Sequence, residues 1–295
     1  MKLRGSELLY QIVIYALVGL LLLISVFPLI YVLGVSLTSE AEYYARGKLM
    51  VIPFQPTIAA YTKIFTTNAN LLNSLLVSVQ RTLIGTALGL SFTLLVGYGA
   101  SRRDMPGSKQ LMFLVLVTIL FSGGMIPTFV VVKDLGLYDS FWSLIIPGLV
   151  SGWNALVFRQ FFESLPHEVE EAAEIDGVSK LGMLVRIILP MSLPVVASLG
   201  LFTAVNHWNS WFDAMLYIKT ASRQPLQLVL YQMHKDANIA ANTNDMAALT
   251  DSLERSSSRS LRMALTVIGT VPILCVYPFL QKYFVKGATL GAVKG

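Results

Sequence analysis

A short acidic stretch in the middle of the chain holds the residues whose types and spacing could do chemistry. Glu168, Glu170 and Glu171 lie close together within FESLPHEVEEAAEIDGVSK, the segment that begins at Phe162 and ends at Lys180. Neighbouring carboxylates can act as a general acid and a general base. The segment contains no nucleophile–base set, however, so a membrane enzyme such as a glycosyl- or acyltransferase is only the alternative interpretation. The main interpretation is a surface on which another protein docks.

The order of residue types in this segment indicates two short helices joined by a tight turn. Pro166 suits the first turn of a helix, where its missing N–H costs nothing, and carboxylates follow near the positive helix end. Ala172 and Ala173 present a small face that another chain can approach closely. Gly177 suits the left-handed position after a helix, and Ser179 can cap the next helix. The segment therefore predicts a rigid helix–turn–helix.

The second helix of this segment has an apolar pattern. Leu181, Leu184, Val185 and Ile188 recur at helical spacing and predict one apolar face. Pro190 is expected to end this helix and to start the next apolar segment.

Other motifs that carry chemistry are missing from the sequence. The nearest fragment to a phosphate-binding G-x-x-x-x-G-K-[ST] loop is Gly107-Ser108-Lys109, which lacks the first glycine and the G-K-[ST] run. Three histidines and one cysteine, Cys275, offer neither a metal set nor a disulfide framework. We therefore expect no bound cofactor and no catalysis by this chain itself.

The composition places the protein in a membrane. Of its 295 residues, 55% are hydrophobic and only 13% are charged, and the mean hydropathy is +0.64. A soluble domain seldom carries so little charge. The net charge is +5, but the basic residues are dispersed and form no stripe of the kind a nucleic-acid binder shows. The expected partner is a lipid bilayer and not a nucleic acid.

Six apolar segments predict an all-α membrane protein with six transmembrane helices in one domain, residues 1–295. Each approaches or exceeds the ~20 residues that cross a bilayer core. The predicted spans are about 10–37, 72–101, 110–132, 139–162, 191–218 and 263–281, and the acidic loop at about 163–190 joins the fourth and fifth. The first apolar segment is too long for a signal peptide, so we expect it to remain as a span.

Glycine and proline residues interrupt two of the predicted spans. Gly123 and Gly124 precede Pro127 in the third span, and Pro147 and Gly152 interrupt the fourth. Such residues indicate either close packing between helices or kinked helices that line a pathway, and both remain open. Lys and Arg residues are balanced between the two sides of the membrane, so they leave the orientation open as well.

Polar side chains inside the spans are costly unless they face a cavity. On this ground we predict a substrate pathway that includes amide and indole side chains, which suit the hydroxyls and the apolar faces of sugars. The candidates are Asn154, Asn206, Trp208, Asn209 and Trp211. Interfacial anchoring is the alternative for the two tryptophans.

Three ionisable residues of the spans call for separate interpretations. Arg81 is expected to extend outward to the membrane surface, with binding of an acidic sugar as the alternative. His207 is expected to be a packing histidine. Asp213 lies close to the end of the fifth span, where it does not suit the midplane site of an ion-coupled transporter.

The acidic segment also carries a specific pattern: E-A-A, two residues, D-G, nine residues, I, one residue and L-P. This pattern resembles the EAA loop of ATP-binding-cassette (ABC) importer permeases. The chain is similar to carbohydrate-type permeases such as the second membrane subunit of the maltose system, and most to the LplC- or YtcP-like subgroup. Further matches are Asn73-Ser74, Trp208-Asn209, Pro225-Leu226-Gln227 and the segment from Gln281 to Gly295. Members commonly have Asp or another polar residue after the W-N pair, where this chain has Ser210 and then Trp211.

The resemblance implies a type I importer permease of the bacterial cytoplasmic membrane with both termini in the cytoplasm. It implies a heterodimer with a second permease, two ATPase subunits that hold ATP and Mg, and an extracytoplasmic solute-binding protein. The EAA helix would dock in a cleft on the ATPase. The coupling residues implied are Glu171, Ala172, Ala173, Asp176, Gly177, Leu189 and Pro190.

The polar loop at about 219–262 would lie outside the cell in such a permease. Asn242, Asn244 and Asp245 are the residues expected to contact the binding protein, and a solvated linker without contacts is the alternative. The substrate implied by the subgroup is a complex or acidic oligosaccharide, such as an aldouronate, galacturonide or alginate fragment.

Overall fold

The computed structural model describes residues 5–46, 51–67, 70–102, 104–242 and 259–292. All regular elements in these ranges are helices, as predicted. The α-helices are α1 (Gly5–Ser36), α2 (Glu40–Arg46), α3 (Ala59–Thr67), α4 (Leu71–Ser101), α5 (Ser108–Leu120), α6 (Met125–Asp134), α7 (Gly152–Glu163), α8 (His167–Ile175), α9 (Lys180–Met183), α10 (Leu189–Met191), α11 (Leu193–Asn209), α12 (Phe212–Tyr217), α13 (Leu226–Asn242) and α14 (Arg259–Ala292). Short 3₁₀ turns cover Phe141–Leu144, Ile146–Gly148 and Ala221–Arg223, and a π-helical turn covers Leu184–Ile188.

Two helices of the described ranges are long and apolar enough to cross a membrane unbroken, namely Leu9–Ser36 within α1 and Leu71–Ser101, which is α4. They coincide with the first two predicted spans. Counting two further pairs of bent helices as one span each brings the number to four among the described residues. The total of six spans stays a prediction.

The third and fourth predicted spans are not continuous helices. The chain leaves the helical path after α5 ends at Leu120 and resumes it at Met125, and Gly124 takes φ +88° at the break. The fourth predicted span contains 3₁₀ turns around Pro147, and the chain then bends by 49° into α7. A Cβ at Gly123 or Gly124 would meet no atom of the described residues within 4 Å, so packing against a described helix does not explain these two glycines.

The start of the fifth predicted span departs from the expectation for Pro190. The helix does not end at Pro190 but continues to Met191, and the chain turns by 81° at Ser192 into α11. Proline lacks the N–H that would bond to the carbonyl four residues back. The preceding π turn, in which the Leu189 N–H bonds to Leu184 O, already departs from that hydrogen-bonding pattern.

The helices divide into two units, of which the first comprises the described parts of residues 1–69 and 230–271. Within it, the Ser260 hydroxyl donates to Thr38 O at 2.6 Å and ties the start of α14 to the end of α1. The Glu42 carboxylate accepts from the Phe54 N–H at 2.7 Å and so closes the loop after α2.

The second unit comprises the described parts of residues 70–229 and 272–295 and is built around α4. Helices α7 and α11 pack along α4, where glycines permit close approach. A Cβ at Gly89 would lie 3.2 Å from Leu149 O, and one at Gly97 would lie 2.6 Å from Phe158 Cβ. Gly85 of α4 permits a similar approach on the side of α11, where a Cβ would lie 2.7 Å from the His207 ring.

Replacing Gly97 with leucine should destabilise this unit. The contacting atoms are Phe158 Cβ and Ala155 O, at 3.0 Å, which cannot swing away as a flexible side-chain end would. Overpacking of this kind costs about 1–3 kcal/mol. We expect a lower unfolding temperature in detergent, measured by tryptophan fluorescence. The matched control is Gly19→Leu in α1, where a Cβ meets nothing within 4 Å; equal unfolding temperatures for the two variants would contradict the packing argument.

The ends of α4 and α7 join a buried cluster that reaches the acidic loop. Its buried members are Leu94, Phe158, Phe162, Ala173, Met183, Leu184, Ile188 and Leu199. The cluster therefore connects α8, α9 and the π turn to the helices of the membrane domain through apolar contact.

Candidate functional site

The acidic loop forms the predicted helix–turn–helix. Helix α8 begins after Pro166 with acidic residues in its first turn, and it ends at Ile175. Gly177 adopts the predicted left-handed conformation with φ +73°. The Ser179 side chain caps α9 by accepting a hydrogen bond from the Gly182 N–H at 3.1 Å. These local predictions are confirmed.

Helix α8 has one buried and one exposed face. Ala173 is 4% exposed and belongs to the buried cluster. Glu171 and Ala172 are exposed, as are Asp176 and Gly177 in the turn. The acidic and small residues of the E-A-A-x-x-D-G pattern are therefore available to a partner, apart from Ala173, which anchors the helix.

The four apolar residues predicted to form one face of the second helix of the acidic loop do not share one environment in the structure. Leu184 and Ile188 are buried, but Leu181 and Val185 are 69% and 54% exposed. The prediction of one apolar face is wrong because it assumed an uninterrupted α-helix, whereas residues 184–188 form a π turn with a different number of residues per turn. Ile175, at the end of α8, is 86% exposed. The loop therefore presents apolar side chains outward beside its acidic ones.

An ion pair ties α8 to the end of α4. The Arg102 guanidinium, just after α4, binds both carboxylate oxygens of Glu170, and the Nη2–Oε1 distance is 2.8 Å. The two side chains are only 15% and 14% exposed. The guanidinium also lies 4.5 Å from the centre of the Tyr98 ring, close enough for a cation–π interaction. This contact is specific and largely shielded from water, so it fixes α8 relative to α4.

A second, exposed set of charges surrounds the turn between α8 and α9. Lys180 Nζ lies 2.5 Å from Glu174 Oε1 and 3.3 Å from Asp104 Oδ2. The hydrogen bond from Lys180 lowers the pKa of Asp104, and the bonds to Glu174 and Asp104 raise the pKa of Lys180. All three side chains are more than half exposed, so solvent screens them and the pairs contribute little to stability.

Leu189 and Pro190 follow the π turn and form α10. Leu189 packs against the buried cluster, while Pro190 lies two residues before the 81° bend at Ser192. These two residues therefore lie between the loop and α11 and not on the exposed face of α8.

A second site lies within the membrane domain. A cavity of about 420 Å³ opens between α4, α7 and α11, a volume within the range of small-molecule sites. Its lining is rich in polar side chains and comprises Arg81, Ser143, Leu144, Pro147, Gly148, Ser151, Asn154, Phe202, Thr203, Asn206, His207, Ser210, Asp213 and Tyr217. The cavity brings together two of the predicted pathway residues, Asn154 and Asn206.

The structure places the other predicted pathway residues elsewhere. Trp208 is buried and lines an apolar cavity of about 650 Å³. Trp211 packs against a second buried cluster, and Asn209 is the last residue of α11. Their part in a pathway stays a prediction. His207 faces Gly85 of α4, where a Cβ would lie 2.7 Å from its ring, and it also lines the polar cavity.

The most strongly charged contact of the cavity was missed by sequence reasoning. Arg81 is 2% exposed and does not extend to the membrane surface as predicted. Its guanidinium binds both carboxylate oxygens of Asp213 and donates to Ser210 O at 3.1 Å. The signal that could have found this pair is the presence of opposite charges in two apolar spans, each costly when unpaired.

The residues predicted to contact a binding protein lie largely beyond the described ranges. Asn242 is the last residue of α13. Asn244 and Asp245 lie outside the described residues, so the structure does not bear on them. Within the described ranges, no group of three His, Cys, Asp or Glu side chains could hold a metal ion.

Comparisons with known proteins agree with this architecture. Residues 89–289 match the family described as "Binding-protein-dependent transport system inner membrane component". The chain belongs to this family, and it is therefore an inner-membrane permease component of the ABC importer type and not an enzyme.

Two relatives are similar to this chain over nearly its whole length. This chain is 42% identical to the polygalacturonan/rhamnogalacturonan transport system permease protein YtcP of Bacillus subtilis strain 168. The alignment has 288 residues and covers 97% of this chain and 99% of YtcP. It is 42% identical over 272 residues to protein LplC of the same strain, covering 92% of this chain and 90% of LplC. The predicted resemblance to this subgroup is confirmed.

A solved structure shares the fold. It is the crystal structure of a bacterial ABC transporter involved in the import of the acidic polysaccharide alginate. One of its chains matches with a TM-score of 0.82 and 28% identity, covering 96% of this chain and 99% of that one.

Proposed function

We propose that this chain imports an oligosaccharide that carries uronic-acid carboxylates, as one of two permeases in an ABC importer. The observation that carries the proposal is the exposed acidic helix α8, held to the membrane domain by Arg102 and by the buried cluster. A helix that is rigidly attached on one face and exposed on the other suits the transmission of movement from a partner. ATP and Mg would be bound by that partner, an ATPase present in two copies.

The exposed groups of the loop are suited to such a docking role. Glu171 can pair with a basic group of the ATPase, and Ala172 allows a close approach. Ile175, Leu181 and Val185 would be covered by the partner, which would remove their apolar surface from water. With the acidic loop in the cytoplasm, both termini of a six-span chain would lie in the cytoplasm as well.

The substrate class follows from the chemistry of the relatives' substrates. Polygalacturonan, rhamnogalacturonan and alginate are polymers that contain uronic acids, and each carries carboxylates as well as hydroxyls. The cavity of this chain offers amide, hydroxyl and guanidinium groups, which can bind both. An extracytoplasmic binding protein would deliver the oligosaccharide from the side of the segment 219–262, whose described part includes helix α13.

The test is to tag this chain, purify it gently from its native membranes and identify the proteins that accompany it by mass spectrometry. We expect an ATPase with a phosphate-binding loop, a second six-span permease and a solute-binding protein. Thermal shift of that binding protein should then increase with galacturonide or alginate oligosaccharides more than with neutral ones. Recovery of the chain without any ATPase, even after crosslinking, would overturn the proposal.

A further inference from the structure

We propose that Arg81 is the carboxylate-binding residue of the polar cavity, and that Asp213 occupies its guanidinium until the carboxylate of an acidic sugar replaces it. This inference rests on the proposed function as an importer of uronic-acid oligosaccharides. It assigns selection of acidic over neutral sugars to this permease, in addition to any selection by a binding protein.

Placing the charged side chain of Arg81 inside a membrane-spanning helix costs free energy. A buried, membrane-embedded cation needs a partner, and such residues face cavities or pair with each other. Arg81 does both, because it lines the 420 Å³ cavity and binds Asp213. Its Nε is buried and has no hydrogen-bond partner within the described part of the chain. The polar contacts of the guanidinium are therefore made by its two Nη groups, which bind Asp213 and Ser210.

The two members of the pair differ in how firmly they are held. Arg81 is 2% exposed at the side chain and is enclosed on α4, whereas Asp213 is 32% exposed. Asp213 lies in the first turn of the short helix α12, directly after the break at Ser210 and Trp211. An exchange of carboxylates would thus move Asp213 toward water and leave Arg81 in place.

The neighbouring groups suit the rest of a sugar. Asn154 Nδ2 lies 3.4 Å from Thr203 Oγ1, and Asn206 Oδ1 lies 3.5 Å from Ser210 Oγ. Such long contacts leave hydrogen-bonding capacity for hydroxyls of a ligand. A guanidinium binds a carboxylate through two parallel hydrogen bonds, whereas a neutral sugar has no anion that could displace Asp213. The chemistry therefore favours a uronate over a neutral hexose.

The test uses the complete importer reconstituted in liposomes, with uptake of a galacturonide oligosaccharide as the measurement. Single substitutions leave one buried charge unpaired and can impair folding, so the decisive variant is the neutral double substitution Arg81→Gln with Asp213→Asn. We expect it to fold and to take up the galacturonide about tenfold more slowly or worse, as loss of a charge-assisted hydrogen bond typically brings. Asp213→Asn alone, where it folds, should lower the KM for uptake, because the competing carboxylate is gone.

A purely structural ion pair predicts the opposite pattern. In that case the neutral double variant would transport at the wild-type rate and both single variants would be impaired, and this outcome would overturn the inference. The control is the double substitution Arg159→Gln with Glu163→Gln, which removes an ion pair of α7 that is about one third exposed and lies outside the 420 Å³ cavity, and it should leave uptake unchanged. If the wild-type importer takes up neutral oligosaccharides but no acidic ones, the proposed substrate class fails together with this inference. If it takes up acidic ones and the double variant does so equally well, only the inference fails.

Discussion

Replacing Glu171 with lysine is expected to abolish sugar uptake while the permease still folds. Glu171 is exposed on α8, and among the described residues it makes no hydrogen bond or ion pair that the substitution would break. Surface substitutions of this kind change stability by less than about 0.5 kcal/mol. The reversed charge would instead meet the basic group of the ATPase that Glu171 is proposed to bind, and like charges across an interface repel strongly.

The measurement is the amount of ATPase that copurifies with the tagged permease, together with ATP hydrolysis stimulated by the loaded binding protein. Both should fall about tenfold or more for Glu171→Lys, as expected for the loss of an interfacial charge pair. The matched control is Asp134→Lys, an equal change of charge at the exposed end of α6, which should leave both unchanged. Gly177→Asp is a second variant at the same surface, since Asp tolerates the left-handed conformation of this turn. Normal substrate-stimulated hydrolysis in these variants would disprove the placement of the coupling site.

Breaking the ion pair between Arg102 and Glu170 is expected to separate ATP hydrolysis from transport. Arg102→Glu places two carboxylates side by side in a site that is only about 15% exposed. Loss of one partner in such a mostly buried pair costs about 3 kcal/mol locally, and α8 would lose its polar attachment to α4. The ATPase would still bind the exposed face of α8, but its movement would no longer be transmitted fully.

The measurement is the ratio of sugar transported to ATP hydrolysed, which a general loss of stability would not change. We expect this ratio to fall severalfold in Arg102→Glu and in Glu170→Arg, and to recover in part when the two are combined, because the exchanged charges can pair again. Asp104→Asn is the control, since it removes only a solvent-exposed charge near the same turn. Single variants with the wild-type ratio would show that this ion pair does not transmit movement.

The features that follow from local rules could be predicted from the sequence. Gly177 and Ser179 determine the turn and the cap of the acidic loop through their own backbone preferences. The first two spans follow from uninterrupted apolar length. The breaks around Gly124 and Pro147 were only partly predictable, because glycine and proline mark an irregularity without specifying a kink, a packed contact or a complete break in the helix.

The features that depend on distant contacts could not be predicted from the sequence. Arg81 and Asp213 are separated by more than a hundred residues, so no local pattern relates them, and their pairing depends on the bend that brings α11 beside α4. The wrong prediction of a single apolar face for the second helix of the acidic loop had a different cause. A π turn at Leu184–Ile188 shifts the side chains against the periodicity that the prediction assumed, which leaves Val185 exposed while Ile188 is buried.

The continuity of α4 has a mechanical consequence. This unbroken helix carries the cavity residue Arg81 about one third of the way along its length and ends beside Arg102, which binds Glu170 of the acidic loop. At 1.5 Å per residue the two positions lie about 32 Å apart along the axis, so a tilt of about 10° around the Arg102 end displaces the Arg81 position by about 5 Å. Under the proposed function, helix α4 would act as a lever arm. A small rotation at the acidic loop would become, at the cavity, a displacement longer than the hydrogen bonds that hold Arg81 to Asp213.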